Sequence, residues 1–415
     1  MKFGIFYEHQ LPKPWSNDDE FQLLHDALDQ VELADRLGFD YAWEVEHHFL
    51  DEYSHSSAPE VFLAACAART QRIRLGHGIR QVIPKYNHPA RTAEGLATLD
   101  LISDGRVDFG IGEGATRLEL HGFDIPAKQK RAMALEAAEQ ITNMMVLDPY
   151  PGYSSDTFSM PCRNVLPKPR QKPHPPMWMA CTNRDTIKVA AQHGIGALAF
   201  SFVDPDEARS WVDVYYDIIR SDDCVPIGHT VNANIALVTG FSLHEDRAEA
   251  IRRGQEGFEF FGYALNALVA HDQVPGRTDL WGEFQARRSP DSVDRRIAAA
   301  DEQGDAYASC IGTPDDAARY LRSMRDVGVD QIIFIQQAGR NRHTDICSSL
   351  ELFASDVMPE FHTGEDERER RKTAELTPFV EAALARKTWM QPLADDEIPV
   401  VRASVAKAQT AGSLA

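Results

Sequence analysis

Lys2-Phe3-Gly4-Ile5-Phe6-Tyr7 and Tyr41-Ala42-Trp43-Glu44-Val45-Glu46-His47-His48-Phe49 are the stretches that decide the fold. The first reads as an apolar, β-rich strand, and the second as another strand that ends in a carboxylate and two histidines. Between them, Glu20 to Leu37 carries apolar residues at helical spacing, which makes the three segments one βα unit plus the next strand of a parallel sheet. Outward from there the rhythm recurs. Candidate strands are Phe3 to Tyr7, Tyr41 to Val45, Ile73 to Ile79, Val107 to Ile111, Met177 to Cys181, Ala197 to Ser201, Val231 to Val238 and Gln331 to Ile335. Candidate helices include Pro59 to Ala68, Pro89 to Leu101, Lys128 to Val146 and Asp206 to Ile219.

Eight strands with intervening helices predict an α/β fold, a (β/α)8 TIM barrel, over residues 1–361. A doubly wound dinucleotide fold would place a glycine-rich turn directly after the first strand, and Tyr7-Glu8-His9-Gln10-Leu11-Pro12 is nothing like one. Gly110-Ile111-Gly112-Glu113-Gly114 follows the fourth strand and lacks the full dinucleotide pattern. Its glycines predict close approach of the backbone to a flat ligand. Two excursions interrupt the barrel. Residues 147–176 are proline-rich and read as a long ordered loop, and residues 266–311 read as a mobile lid or substrate-specific insertion without a strand. Thr313 and Pro314 start a helix as N-cap and first helical residue. Residues 362–415 form a charged tail, helical around Phe379 to Lys387, that docks on a partner or stays loose.

The formal charge of −20 argues against nucleic acid or an anionic membrane as the main partner. No apolar run reaches the length of a membrane span, and Met1 leads straight into strand-like sequence without room for a leader. The expectation is a cytoplasmic protein. Six cysteines without CxxC spacing predict reduced thiols and no metal site, with Cys181 a buried structural thiol.

In a barrel, the loops at the C-terminal ends of the strands build the active site, and His47 and His48 stand there. Neighbouring strand residues point to opposite faces, so at most one of the two histidines meets the pocket. Imidazole moves protons near neutral pH, which makes that histidine a candidate acid or base; a structural pair is the plainer alternative.

The chain resembles the bacterial luciferase superfamily, the flavin-dependent luciferase-like monooxygenases, over roughly residues 1–360. The resemblance rests on Met1-Lys2-Phe3-Gly4, Glu46-His47-His48-Phe49, His88-Pro89-Ala90-Arg91-Thr92-Ala93-Glu94, Leu99-Asp100 with Ser103-Asp104-Gly105-Arg106, and Ala190-Ala191-Gln192-His193-Gly194. It implies a barrel that binds reduced FMN, delivered by a separate NAD(P)H:flavin reductase. It further implies oxygenation of a small organic substrate through a C4a-peroxyflavin, and a homodimer. His47 matches the catalytic histidine. His48 would turn into the barrel wall and be held by a hydrogen bond, while Glu46 fixes the imidazole tautomer or pairs with a barrel arginine. His77, Gly78, Ile79 and Arg80 would line the flavin, with Gly78 tolerating a non-proline cis peptide, and Gly112 would lie beside it.

The resemblance implies that the family's phosphate site, placed by spacing back from Ala190-Ala191-Gln192, falls on Thr182, Asn183 and Thr186, a loop of hydroxyl and amide donors that enters a helix and offers its positive end. Helix capping by the same residues is the alternative. Where luciferase carries a cysteine and an arginine after the fourth strand, this chain has Gly112-Glu113. Arg184 is the candidate replacement charge. Two further readings stay open: a deazaflavin-dependent, hydride-transferring oxidoreductase of the same barrel class, and a non-catalytic flavin-binding protein.

Overall fold

The computed structural model describes residues 1–200, 202–289, 291–303 and 309–402. Its centre is a ring of parallel strands: β1 (Lys2–Tyr7), β2 (Tyr41–Glu44), β3 (Arg74–His77, continued after a break by Arg80–Gln81), β4 (Val107–Gly112), β5 (Met177–Cys181), β6 (Gly196–Ala199), β7 (Ile235–Thr239) and β8 (Gln331–Ile335). Pairing of Leu75 with Val107 and of Phe3 with Ile332 leaves no gap between neighbours, so the sheet closes as the expected (β/α)8 barrel. The expected sixth strand ends at Ala199, and Ser201 lies outside the described residues.

Alternation along the strands divides the core in two. Phe3, Ile5 and Tyr7 pack outward with the helices, whereas Phe6, Trp43, Trp178, Ile333 and Ile335 fill the barrel interior. Register sets each interior tryptophan beside a glycine, Trp43 against Gly76 and Trp178 against Gly196. A Cβ on Gly76 would lie 2.2 Å from the Trp43 ring, so the absent side chain is what admits the indole. The two indoles meet edge to face at 5.4 Å.

The surrounding helices begin where local chemistry permits. Pro59, Pro89, Pro205 and Pro314 each open one, at the position where a missing N–H costs no hydrogen bond. Asp204 and Thr313 accept the backbone N–H of Glu207 and Asp316 as N-caps. At the barrel's lower end, Asp100 accepts the Gln171 N–H at 2.8 Å and Arg106 donates to Ile73 O at 2.7 Å, so that motif is scaffold.

The excursions differ from expectation. Residues 147–176 contain an antiparallel hairpin, Tyr150–Ser154 with Ser159–Arg163, where a plain loop is expected. The second excursion begins inside a long helix, Arg247–Ala270, and continues through Leu280–Arg287 and Ser292–Gln303. It also carries a strand, Cys310–Gly312, paired in parallel with Phe241–Leu243. Buried Glu52 ties this layer to the loop after β2, accepting N–H groups of Lys13 at 2.8 Å and Trp281 at 3.1 Å. Beyond the barrel, Glu365–Arg386 is one continuous helix, longer than the turn expected near Phe379. It lies across the lower end of the chain's own barrel, where Lys372 and Arg368 meet Asp330 at 2.9 and 3.4 Å. Residues 403–415 lie outside the described residues. No helix among the described residues is long and apolar enough to cross a membrane.

Candidate active site

β2 ends at Glu44, and the chain then carries Glu46, His47 and His48 across the upper rim before turning sharply at Phe49, whose φ of +66° is left-handed. That turn lays the Phe49 ring on Phe123 at 5.3 Å. His47 is anchored through its own N–H, which donates to Ser56 O at 2.8 Å. Its ring stands between two carboxylates: Nδ1 is 2.8 Å from Glu119 Oε1, and Nε2 is 3.7 Å from Glu8 Oε2. Glu119 is fixed in turn, accepting the His48 N–H at 3.2 Å and the Thr116 hydroxyl at 2.9 Å. Tyr53 donates its hydroxyl to Glu8 Oε1 at 3.0 Å, while Glu8 Oε2 is buried with no hydrogen bond among the described residues.

This surrounding sets the charge on His47. Burial opposes the imidazolium, but Glu119 and Glu8 outweigh it and hold the pKa up at about 9. Glu119 moves the other way: burial would raise it, and His47 and Thr116 bring it below the ordinary carboxylate value. Burial pushes Glu8 up to about 7 against the pull of His47 and Tyr53. At neutral pH the His47 imidazole is therefore held in its protonated form, with Nδ1 clamped against Glu119. Nε2, beyond hydrogen-bond range of Glu8, is the atom with a proton to give.

Glu46 does not orient His47. It is bonded to His48 Nε2 at 3.1 Å, Asn87 Nδ2 at 2.7 Å and the Gln81 N–H at 3.0 Å, and it lies 4.0 Å from Arg80, close to the expected wall arginine. His48 is thereby held by a hydrogen bond, as expected.

Beside His47 opens a cleft of about 430 Å³ between the ends of β3, β4 and β5. His47, Ile79, Gly112, Thr182, Asn183 and Thr186 all line it, whereas Glu46, His48, His77, Gly78, Arg80 and Arg184 do not. Gly78 packs beneath, its missing Cβ 3.2 Å from Trp43, and the four cis peptide bonds among the described residues all precede proline, so no cis bond stands at Gly78. The space beside Gly112 is taken by the Ile79 side chain, at 2.0 Å from a built Cβ, so its missing side chain serves packing and not the open approach to a ligand. Burial pushes the Cys181 thiol up to about 12, as suits a structural residue.

At the far end of the cleft the helix Arg184–Gln192 begins. Asn183 and Thr186 form a capping box: Asn183 Oδ1 accepts the Thr186 N–H at 3.1 Å, and Thr186 Oγ1 accepts the Asn183 N–H at 3.2 Å. The capped end of this helix faces the cleft through Thr182, Asn183 and Thr186, so its positive dipole end is directed there. Arg184, the expected replacement charge, is half-exposed, pairs with Glu207 at 3.2 Å and is not among the residues lining the cleft. Lys130 and Arg131, at the start of the helix Lys130–Val146, line the cleft instead. Their signal in the sequence is the basic run Lys128-Gln129-Lys130-Arg131, whose partner across the barrel only the closed fold identifies. A cleft with two cations and a helix terminus at one end, apolar Ile79, Ile111, Ala134, Leu135 and Met179 along it, and an imidazolium at the other has the donor set for a flat, phosphate-bearing cofactor.

The sequence model described as luciferase-like monooxygenase matches residues 1–331. Limonene 1,2-monooxygenase of Rhodococcus erythropolis is 28% identical over 368 residues, covering 87% of each chain. The oxygenase component of the flavin-dependent trigonelline monooxygenase of Acinetobacter baylyi is 29% identical over 198 residues, covering 47% of this chain and 52% of that one. Among solved structures, monooxygenase RslO1 from Streptomyces bottropensis superimposes with a TM-score of 0.70 at 27% identity, covering 87% of this chain and 100% of that one.

Proposed function

The chain belongs to the luciferase-like monooxygenase family, and from that premise we propose that it is a flavin-dependent monooxygenase that takes reduced FMN from a separate reductase and oxygenates a small organic substrate. The observation that carries this reading is the placement of an imidazolium, His47, and a cationic helix end, Lys130 and Arg131 beside Thr182 and Asn183, at opposite ends of one cleft. A reductase partner is supported by the relative named as an oxygenase component.

When bound, the flavin supplies the electrons that activate oxygen. The protein's part is to hold and to protonate. Lys130 and Arg131 would hold the phosphate of such a flavin, and Ile79, Ile111 and Met179 would shield its ring system from water. Glu119 keeps the His47 ring turned, so that His47 would hold a proton at Nε2 ready for donation. Glu8, raised towards neutrality, is the neighbour that returns a proton to Nε2. Aromatic rings run from His47 through Tyr53, Phe261 and Phe202, which is 36% exposed, and favour an apolar substrate. A homodimer is part of the proposal, supported by exposed Phe21 and Val61 on the adjoining helices Asp19–Leu37 and Pro59–Arg69.

The test is oxygen uptake and product analysis with labelled oxygen, using FMN, any NADH:flavin reductase and a panel of apolar organic compounds. A labelled product is expected, and His47→Asn should bind FMN normally while forming product roughly 100-fold more slowly. Absence of oxygen incorporation, with hydride transfer to or from a deazaflavin instead, would overturn the reading.

A further inference from the structure

Glu113 stands where a phosphate would be expected to stand. It follows β4 and lines the same cleft end as Lys130, Arg131, Thr182 and Asn183. Arg131 grips it with two parallel bonds, Nε to Oε2 at 3.0 Å and Nη2 to Oε1 at 3.0 Å. Lys130 Nζ lies 3.5 Å from Oε1 and also donates to Gly114 O at 2.5 Å. The two-pronged guanidinium fork is the geometry with which arginine binds carboxylate and phosphate alike. An anion from the chain itself therefore holds the donors that a cofactor phosphate needs.

We infer that Glu113 acts as a built-in competitor of the flavin phosphate, engaging Arg131 and setting how loosely the protein holds a phosphorylated flavin. The inference rests on the flavin reading above. A phosphate that reaches Arg131 must displace the carboxylate, and it then shares two cations with a remaining negative charge. Loose retention suits a protein that receives its flavin from elsewhere and returns it after each turnover. The opposite role is a strut: Glu113 would aim Arg131 at the phosphate, and its loss would weaken binding. The two roles predict effects of opposite sign.

The experiment is equilibrium titration of the full chain with oxidised FMN and with riboflavin, read by flavin fluorescence, for the native protein, Glu113→Gln and Glu113→Ala. Glu113→Gln keeps the side chain's shape and removes its charge, and thermal unfolding of both variants checks that the fold persists. The expected result is FMN binding tightened about tenfold or more in both variants, with riboflavin unchanged. FMN preferred over riboflavin by the native protein, but unchanged or weaker binding in the variants, would overturn the Glu113 inference and leave the flavin reading standing. Equal binding of FMN and riboflavin by all three proteins would remove the phosphate site and the inference with it.

Discussion

Both ring nitrogens of His47 face carboxylates, and that arrangement has a thermodynamic signature. An imidazolium whose pKa is raised from the ordinary 6.5 to about 9 stabilises the fold fully below pH 6.5, and the contribution drains away as pH rises through 9. Stability measured by denaturant unfolding should therefore fall by on the order of 1–3 kcal/mol between those limits, and His47→Asn should flatten that slope. An unchanged slope in the variant would place the charge elsewhere. The strand-end rule made His47 legible from its position alone. Glu119 was not legible, because it reaches His47 from a short helix 72 residues downstream, and Thr116-x-x-Glu119 in sequence reads only as a capping pattern. Arg184 drew attention by adjacency to the phosphate loop, yet its side chain turns out to Glu207, while Arg131 arrives from another helix.

At the scale of elements, the close match of β5 and β8 to the expected strands reflects continuous apolar runs bounded by turn residues, which periodicity reads well. β3 is shorter than expected because the chain breaks at Gly78 and Ile79 before resuming at Arg80. The hairpin Tyr150–Ser154 with Ser159–Arg163 was hidden by its prolines, which argue against strands in general but sit comfortably in a two-stranded edge pair. The fit of Trp43 against Gly76 yields a prediction: Gly76→Ala should destabilise by about 2–3 kcal/mol, measured by chemical denaturation, because the indole has no free space to move into. A neutral Gly76→Ala would mean that the barrel interior is loosely packed.

For the whole molecule, the helix Glu365–Arg386 closes the lower end of the barrel through charges on Asp330, a residue only 4% exposed. Asp330 accepts the Ile235 N–H at 2.9 Å as well as Lys372 and Arg368, so it joins β7, β8 and the last helix. Asp330→Ala takes an acceptor from Lys372, Arg368 and the Ile235 N–H, although both cations keep Glu369 nearby, and a loss of about 1–3 kcal/mol together with faster proteolysis within residues 365–386 is expected. The barrel's rhythm made the ring of strands legible, but charge-rich composition alone disguised this helix as a tail. Its docking depends on Asp330, which a reading of local pattern does not connect to it.

In the proposed function, one end of the upper cleft is a phosphate site built from Lys130, Arg131 and the helix Arg184–Gln192. Calorimetric titration of FMN into the native protein, Arg131→Ala and Arg184→Ala tests it most directly. The account predicts at least about tenfold weaker binding for Arg131→Ala, from loss of a charged two-pronged contact, and little change for Arg184→Ala. Native affinity in Arg131→Ala, or a loss confined to Arg184→Ala, would contradict it.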